Sequence, residues 1–258
     1  METLASHASR NGTRQGGHFL PLSLGILATW VLSGWVFLRF NHPLAFREDH
    51  LFLLLHGRLF LDWPHILTNI HLGFPGRIDL LSFPFTDVTQ RIIQAAVTVT
   101  TGHVVAGAHL YTAAIMAANY AAAYVALYLF TRRRLDAALG ALAFALLPFA
   151  IKRIGGHDYL AACYPAPLAF ILLHRVADLS RGRSPLRLLA RDAASWACAA
   201  LVATSGFYFS MFALLVLAYG GAGLALLRRD RRPLLLALAA AGAAAAGLAM
   251  VLAPLVLH

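Results

Sequence analysis

Val104–Phe130 reads VVAGAHLYTAAIMAANYAAAYVALYLF, and Thr131 then leads into Arg132, Arg133 and Arg134. An α-helix rises 1.5 Å per residue, so about 20 apolar residues cross the ~30 Å hydrocarbon core of a bilayer. This stretch is long enough to do so, and the arginine block stops it. Comparable apolar runs recur along the chain. The mean hydropathy of +0.69 and the 12% content of charged residues fit a polytopic membrane protein without a separate soluble domain.

The basic residues give the orientation. The net charge of +10 is concentrated in short blocks between apolar runs: Arg132–Arg134, then Arg175 to Arg191, then Arg228 to Arg232. That distribution follows the positive-inside rule and places the blocks against anionic headgroups, which argues against a nucleic-acid partner. Cys163 and Cys198 match no metal spacing and read as small packing residues.

Working outward, the expected architecture is an all-α membrane protein with about seven transmembrane helices, near residues 19–38, 104–130, 135–151, 159–176, 193–204, 208–227 and 234–257. Residues 1–17 read as a disordered cytoplasmic tail, with residues 18–258 forming one membrane domain. The first span is too long for a secretory h-region and reads as an uncleaved anchor with its N-terminus inside. Arg191 to Arg228 reads as a hairpin turning near Thr204-Ser205-Gly206, because a single span would place the following arginine block outside. The C-terminus is then external. The chain stops on an apolar run, which points to a fragment or to one member of a larger membrane assembly.

The first loop, 41–102, is the expected outer loop and holds five of the eleven acidic residues. From Asp87 onward, Gln90, Arg91, Gln94, Thr98 and Thr101 recur at helical intervals. Val88, Ile92, Ala96 and Val99 take the other side. This predicts an amphipathic interfacial helix lying along the membrane. Glu48–Phe60 is a second such helix, with Asp49 and His56 one heptad apart. Leu61–Phe85 contains Pro64, Gly73, Pro75, Gly76 and Pro84, and is expected to be irregular.

Several polar groups converge on the outer face in this arrangement: Glu48, Asp49, Asp62, Asp79, Asp87 and the Lys152–Asp158 turn, flanked by Tyr164 and Tyr208. A carboxylate there could take a proton from an acceptor hydroxyl, which makes Asp49 and Glu48 the catalytic candidates. Lys152 and Arg153 could clamp a phosphate, with Tyr164, Tyr208 and Asp87 lining a substrate. A divalent cation, Mg or Mn, would find oxygen and nitrogen ligands in Asp49, His157 and Asp158. The plainer readings are a solvated doublet at Glu48-Asp49, an interfacial cap at Arg153–Asp158 and a helix N-terminal acid at Asp87. His50, His56, His65, His71 and His103 form no known ligand motif.

The order of these pieces resembles a known class. Arg47-Glu48-Asp49-His50 follows the first span, then Trp63…Asn69…Leu72-Gly73-Phe74-Pro75, Phe83-Pro84-Phe85-Thr86-Asp87, Arg153-Ile154-Gly155-Gly156-His157 and Gly206-Phe207-Tyr208. From residue 19 onward the chain resembles bacterial GT-C glycosyltransferases, particularly the YfhO-like branch. The resemblance implies a seven-helix module in the cytoplasmic (inner) membrane of the cell envelope. That module would move a hexosyl or pentosyl group from a polyprenyl-phosphate donor to a glycan or lipid acceptor on the outer face. It also implies Asp49, with Glu48 beside it, as general base or metal ligand, and Arg153 and His157 near the donor phosphate or metal. Family members usually carry further spans and often a soluble C-terminal domain, and the doublet here is Glu-Asp where the protein mannosyltransferases have Asp-Glu. A non-catalytic assembly subunit and a transporter or flippase for lipid-linked sugars are the alternatives; a transporter would carry broken helices at matching positions of a repeat.

Overall fold

The computed structural model describes residues 2–33, 48–61, 68–69, 78–79, 87–154, 157–182 and 184–257. Their helices are α1 (Glu2–Leu32), α2 (Glu48–Leu61), α3 (Val88–Thr101), α4 (Val104–Thr131), α5 (Arg134–Ala145) and α6 (Pro148–Arg153). A 3₁₀ turn, Asp158–Ala161, leads to α7 (Pro165–Leu179), α8 (Pro185–Arg191), α9 (Ala193–Ala203), α10 (Phe207–Arg228) and α11 (Arg232–Leu257). A two-residue antiparallel ladder, β1 (Thr68–Asn69) with β2 (Ile78–Asp79), pairs Thr68 with Asp79.

Among the described residues, five segments are long and apolar enough to cross a membrane: Val104–Thr131, Arg134–Arg153, Asp158–Leu179, Phe207–Arg228 and Arg232–Met250. Seven were expected. Gly17–Leu32 and Ala193–Ala203 occupy the positions of the first and fifth expected spans but fall short of that length. The first is continuous with a helical N-terminal stretch that the sequence reading leaves as a tail, and the expected remainder of that span, 34–38, lies outside the described residues. The third span is broken rather than straight. Leu146 and Leu147 close α5, and α6 restarts at Pro148, which cannot donate to a preceding carbonyl and disfavours helix in the residue before it. Similarly, α7 starts at Pro165, where a first-turn proline loses no hydrogen bond.

α4 is the central helix and packs against α1, α2, α3, α5 and α7. Its face toward α5 carries Tyr120 and Tyr124, which meet Ala137, Ala141 and Ala145, spaced four apart and fully buried. Small residues on one helix admit large rings from the other, and in lipid such close packing is what holds helices together. Tyr120, Tyr124 and Tyr128 stack in sequence at 6.2 and 6.3 Å between ring centres. α1 is fastened to this helix by the Tyr120 hydroxyl donating to the Pro21 carbonyl (3.0 Å) and by Trp30 Nε1 donating to the Ala113 carbonyl (2.9 Å). A second apolar cluster joins α7, α9, α10 and α11 through Leu172, Val176, Leu217 and Leu236.

The arginine blocks gather at one end of the bundle. Arg228 Nη1 donates to the Ala177 carbonyl (2.8 Å), which also accepts from Ser180 Oγ, and to Ser180 Oγ itself (3.0 Å), adding a donor at the C-terminal end of α7. Arg175 holds Asp192 through two donors, and Ser195 Oγ donates to the same carboxylate, tying α7 to the start of α9. That hydrogen bond from Arg175 holds the Asp192 carboxyl below its ordinary value, against the opposing effect of burial. The opposite end holds the start of α3 and α4, the 3₁₀ turn and the α9–α10 turn.

Candidate functional site

α3 is amphipathic, as its spacing predicts, but its polar side faces the protein. Gln90, Gln94 and Thr98, four residues apart, are fully buried, while Ile92 and Val99 are 64% and 59% exposed. The expected surface-lying helix is therefore turned over, with its amides sealed in the bundle end and its apolar face outward. A buried amide needs partners, and the three elements around α3 supply them. Gln94 Nε2 donates to the Leu53 carbonyl of α2, and its Oε1 accepts from the Tyr159 hydroxyl (2.6 Å) in the 3₁₀ turn. Gln90 Nε2 donates to the Ser205 carbonyl (2.6 Å) in the α9–α10 turn.

The same turn receives the start of α3. Thr89 donates its backbone N–H to the Thr204 carbonyl (2.9 Å), and the two threonine hydroxyls are 2.6 Å apart. Tyr164, at the head of α7, is buried with its hydroxyl 2.9 Å from Ser205 Oγ. Gly206 stands at φ 113, ψ 143, and a Cβ there would lie 2.5 Å from Asp87 Oδ1, so the carboxylate of Asp87 rests directly on this glycine. On the other side of α3, a Cβ on Gly107 would come within 2.8 Å of Thr98 Cα, so α3 and α4 touch backbone to side chain here.

Asp87 occupies the N-cap position of α3 without a side-chain capping bond. Burial pushes its carboxyl above the ordinary 3.8, and the Arg91 guanidinium pulls the other way. Burial in turn lowers Arg91, opposed by Tyr159 and Asp87. Tyr111, 1% exposed, has Tyr159, Asp158, Tyr164 and Asp87 as its electrostatic neighbours. Asp158 is 2% exposed, and His56 and His109 are 1% exposed each. Among the described residues the Tyr111 hydroxyl and Gln90 Oε1 are buried without a hydrogen-bond partner.

The candidates from sequence divide accordingly. Tyr164 shares an apolar cluster with Tyr111, and Asp87 and Asp158 lie within electrostatic reach of that tyrosine. His157 is half-buried at the start of the 3₁₀ turn. Arg153 is half-buried with its guanidinium carbon 5.2 Å from the centre of the Phe149 ring, while Lys152 is exposed. Tyr208 is 73% exposed and packs edge-on against Phe207, so it does not enter the cluster. Glu48 and Asp49 open α2, which packs on α3, α4 and the 3₁₀ turn; their side chains lie outside the described residues, as do Asp62 and the side chain of Asp79. Among the described residues no three of His, Cys, Asp or Glu are grouped to hold a metal. Gln90, Arg91, Gln94, Tyr111 and Tyr159 were not singled out as site residues. For Gln90 and Gln94 the four-residue spacing is the available signal.

Asp87 also gives a stability expectation. Its folded pKa is raised, so between 3.8 and that raised value the native state binds more protons than the unfolded chain. Its contribution is most favourable below 3.8 and declines as pH rises through the folded value. Arg91, Tyr111 and Tyr164 are the charged or titratable groups that act on it or feel it. The melting temperature of the wild type relative to Asp87→Asn should therefore fall as pH is raised across that window in buffered detergent. A difference that stays flat with pH would show that the carboxyl is solvated.

Neither a protein-family model, nor a curated protein sequence, nor a solved structure matches this chain.

Proposed function

We propose that this chain is a membrane-embedded glycosyltransferase of GT-C type, using a polyprenyl-phosphate-linked sugar at the bundle end opposite the arginine blocks. The observation that carries the reading is the buried polar cluster itself. The Tyr111 hydroxyl, which has Asp158 and Asp87 among its electrostatic neighbours, and Gln90 Oε1 are both buried without a hydrogen-bond partner among the described residues. Each such group costs about 1–3 kcal/mol. Costs of that kind are kept where a bound molecule completes the hydrogen bonding, and ionisable groups at a membrane face favour the same view.

In this reading α2 carries Asp49 and Glu48 to the rim of the cluster, where one carboxylate takes the acceptor proton. Arg153 and Lys152 neutralise the donor phosphate from the neighbouring turn; Asp49, His157 and Asp158 are the residues that would hold a divalent ion, which would supply further charge neutralisation there. The arginine end faces the cytoplasm. Sugar transfer from the donor lipid to a glycan or lipid acceptor then occurs on the far face.

The test is transfer from a radiolabelled polyprenyl-phosphate sugar by the purified protein in nanodiscs, with and without Mg or Mn. Asp49→Asn should reduce transfer by at least about a hundredfold, in the range of general-base loss, while leaving expression and the melting temperature unchanged. Full activity in that variant would remove Asp49 from the mechanism. No transfer by the wild type with any donor would move weight to an assembly subunit.

A further inference from the structure

A second feature lies in the membrane-spanning part and runs from the head of α7 toward the arginine end. α4, α5, α7 and α10 enclose a crevice of about 480 Å³. Its floor is made of small residues, including Ala123, Ala126, Gly140 and Pro167, and its rim of phenylalanines. Three of these are unusually open for large rings: Phe130, Phe170 and Phe212 are 57%, 41% and 43% exposed. At ~30 Å³ per molecule the volume equals roughly sixteen waters. The lining side chains offer those waters no hydrogen bonds, and close-packed proteins do not keep voids of this size. Within a bilayer the filling material is hydrocarbon.

The position of the crevice says which lipid. Two of its walls, α4 and α5, are joined by the Arg132–Arg133 turn. Phe130 on the rim is two residues from Arg132, about 3 Å of helix rise. Ala123 to Phe130 covers about 10 Å, most of the ~15 Å depth of one leaflet. Arg132 is exposed and closes α4 in the left-handed region at φ 58. Arg133, 80% exposed, faces Asp136 at 3.8 Å, while Asp178 faces His174 and Arg181. Arg132 belongs to none of these pairs among the described residues. A cationic turn above a chain-sized apolar slot complements an anionic headgroup with its chain below, an arrangement by which basic pockets between spans select lipids.

The geometry points to a specific site for one anionic phospholipid in the leaflet at the arginine end, its acyl chain in the α4–α5–α7–α10 crevice and its phosphate on Arg132 and Arg133. This assignment is independent of the transferase reading, because it concerns the other end of the bundle and no reacting group.

Native mass spectrometry of the detergent-purified chain tests it, using phosphatidylglycerol and phosphatidylcholine with identical acyl chains. The wild type should retain one phosphatidylglycerol through delipidation, about tenfold or more in preference to phosphatidylcholine. The double variant Arg132→Gln, Arg133→Gln, which changes exposed residues only, should bind both lipids equally. Ala126→Phe, which fills the floor, should retain neither while keeping its helical circular dichroism; Ala166→Leu at the other end of the slot is the second filling variant should the first fail to fold. Equal retention of the two lipids by the wild type overturns the proposal. So does selectivity that survives the arginine change, or retention that survives a folded filling variant.

Discussion

Gly206→Ala should destabilise the protein by about 3 kcal/mol and release α3 from the α9–α10 turn. Two costs add. At φ 113, ψ 143 the residue lies in a region open essentially to glycine, worth about 1–3 kcal/mol for any other side chain. The new methyl would also sit 2.5 Å from Asp87 Oδ1, a contact that must open. Opening it displaces the Asp87 carboxylate from its seat at the N-terminus of α3, next to the Thr89–Thr204 pair and the bond from Gln90 to Ser205. Denaturant unfolding in bicelles reads the loss, and hydrogen exchange at the first turn of α3 reads the release. A destabilisation below about 1 kcal/mol, with unchanged exchange, would mean that the turn has another conformation at hand.

Gln94→Leu is expected to have the largest effect on transfer among residues outside the reacting set. Gln94 is the one amide that touches both α2 and the 3₁₀ turn among the described bonds, by donating to Leu53 and accepting from Tyr159. Leucine removes both bonds, taking one partner from the buried Leu53 carbonyl and one from the part-buried Tyr159 hydroxyl, a cost of about 2 kcal/mol. That exceeds the ~0.6 kcal/mol average for a single hydrogen bond between membrane helices. Under the transferase reading the consequence is misplacement of Asp49, because α2 loses its register against α3. Transfer should fall at least about tenfold, by misplacement of a reacting group. Gln94→Glu retains the acceptor for Tyr159 but not the donor to Leu53, and should fall between the two. Wild-type rates in Gln94→Leu would detach α3 from the chemistry.

How much of this was legible beforehand depends on the element. The span at 104–131 and its arginine stop could be read directly, because apolar length and charge placement are one-dimensional properties. The hairpin turn at 204–206 was legible for the same reason. The break at Pro148 was present as a proline within the expected third span. The helical spacing of Gln90, Gln94 and Thr98 was visible, but periodicity gives the existence of two faces and not which of them is covered. Amphipathic helices at a membrane normally turn their apolar side inward to lipid, and only the partners at Leu53, Tyr159 and Ser205 reverse this. Those partners are 41, 65 and 115 residues away from the amides they meet. Tyr111 was hidden for a related reason: a single tyrosine in an alanine-rich span carries no local mark of the company it keeps. Tyr208, by contrast, was placed near the site by chain position, and the helix rotation of α10 turns it out.

The inverted helix also has a bearing on how the chain is made. α3 leaves the ribosome before α4, the 3₁₀ turn and the α9–α10 turn exist, so of the atoms that satisfy its glutamines only the Leu53 carbonyl has already been made. Only after residue 205 has been synthesised is the last of those acceptors in place. Until then the segment is too polar on one side to enter hydrocarbon alone, and must wait at the water boundary. Assembly of this end of the bundle is thus a late, post-insertional event, and truncated nascent chains ending before that turn should leave α3 accessible to protease.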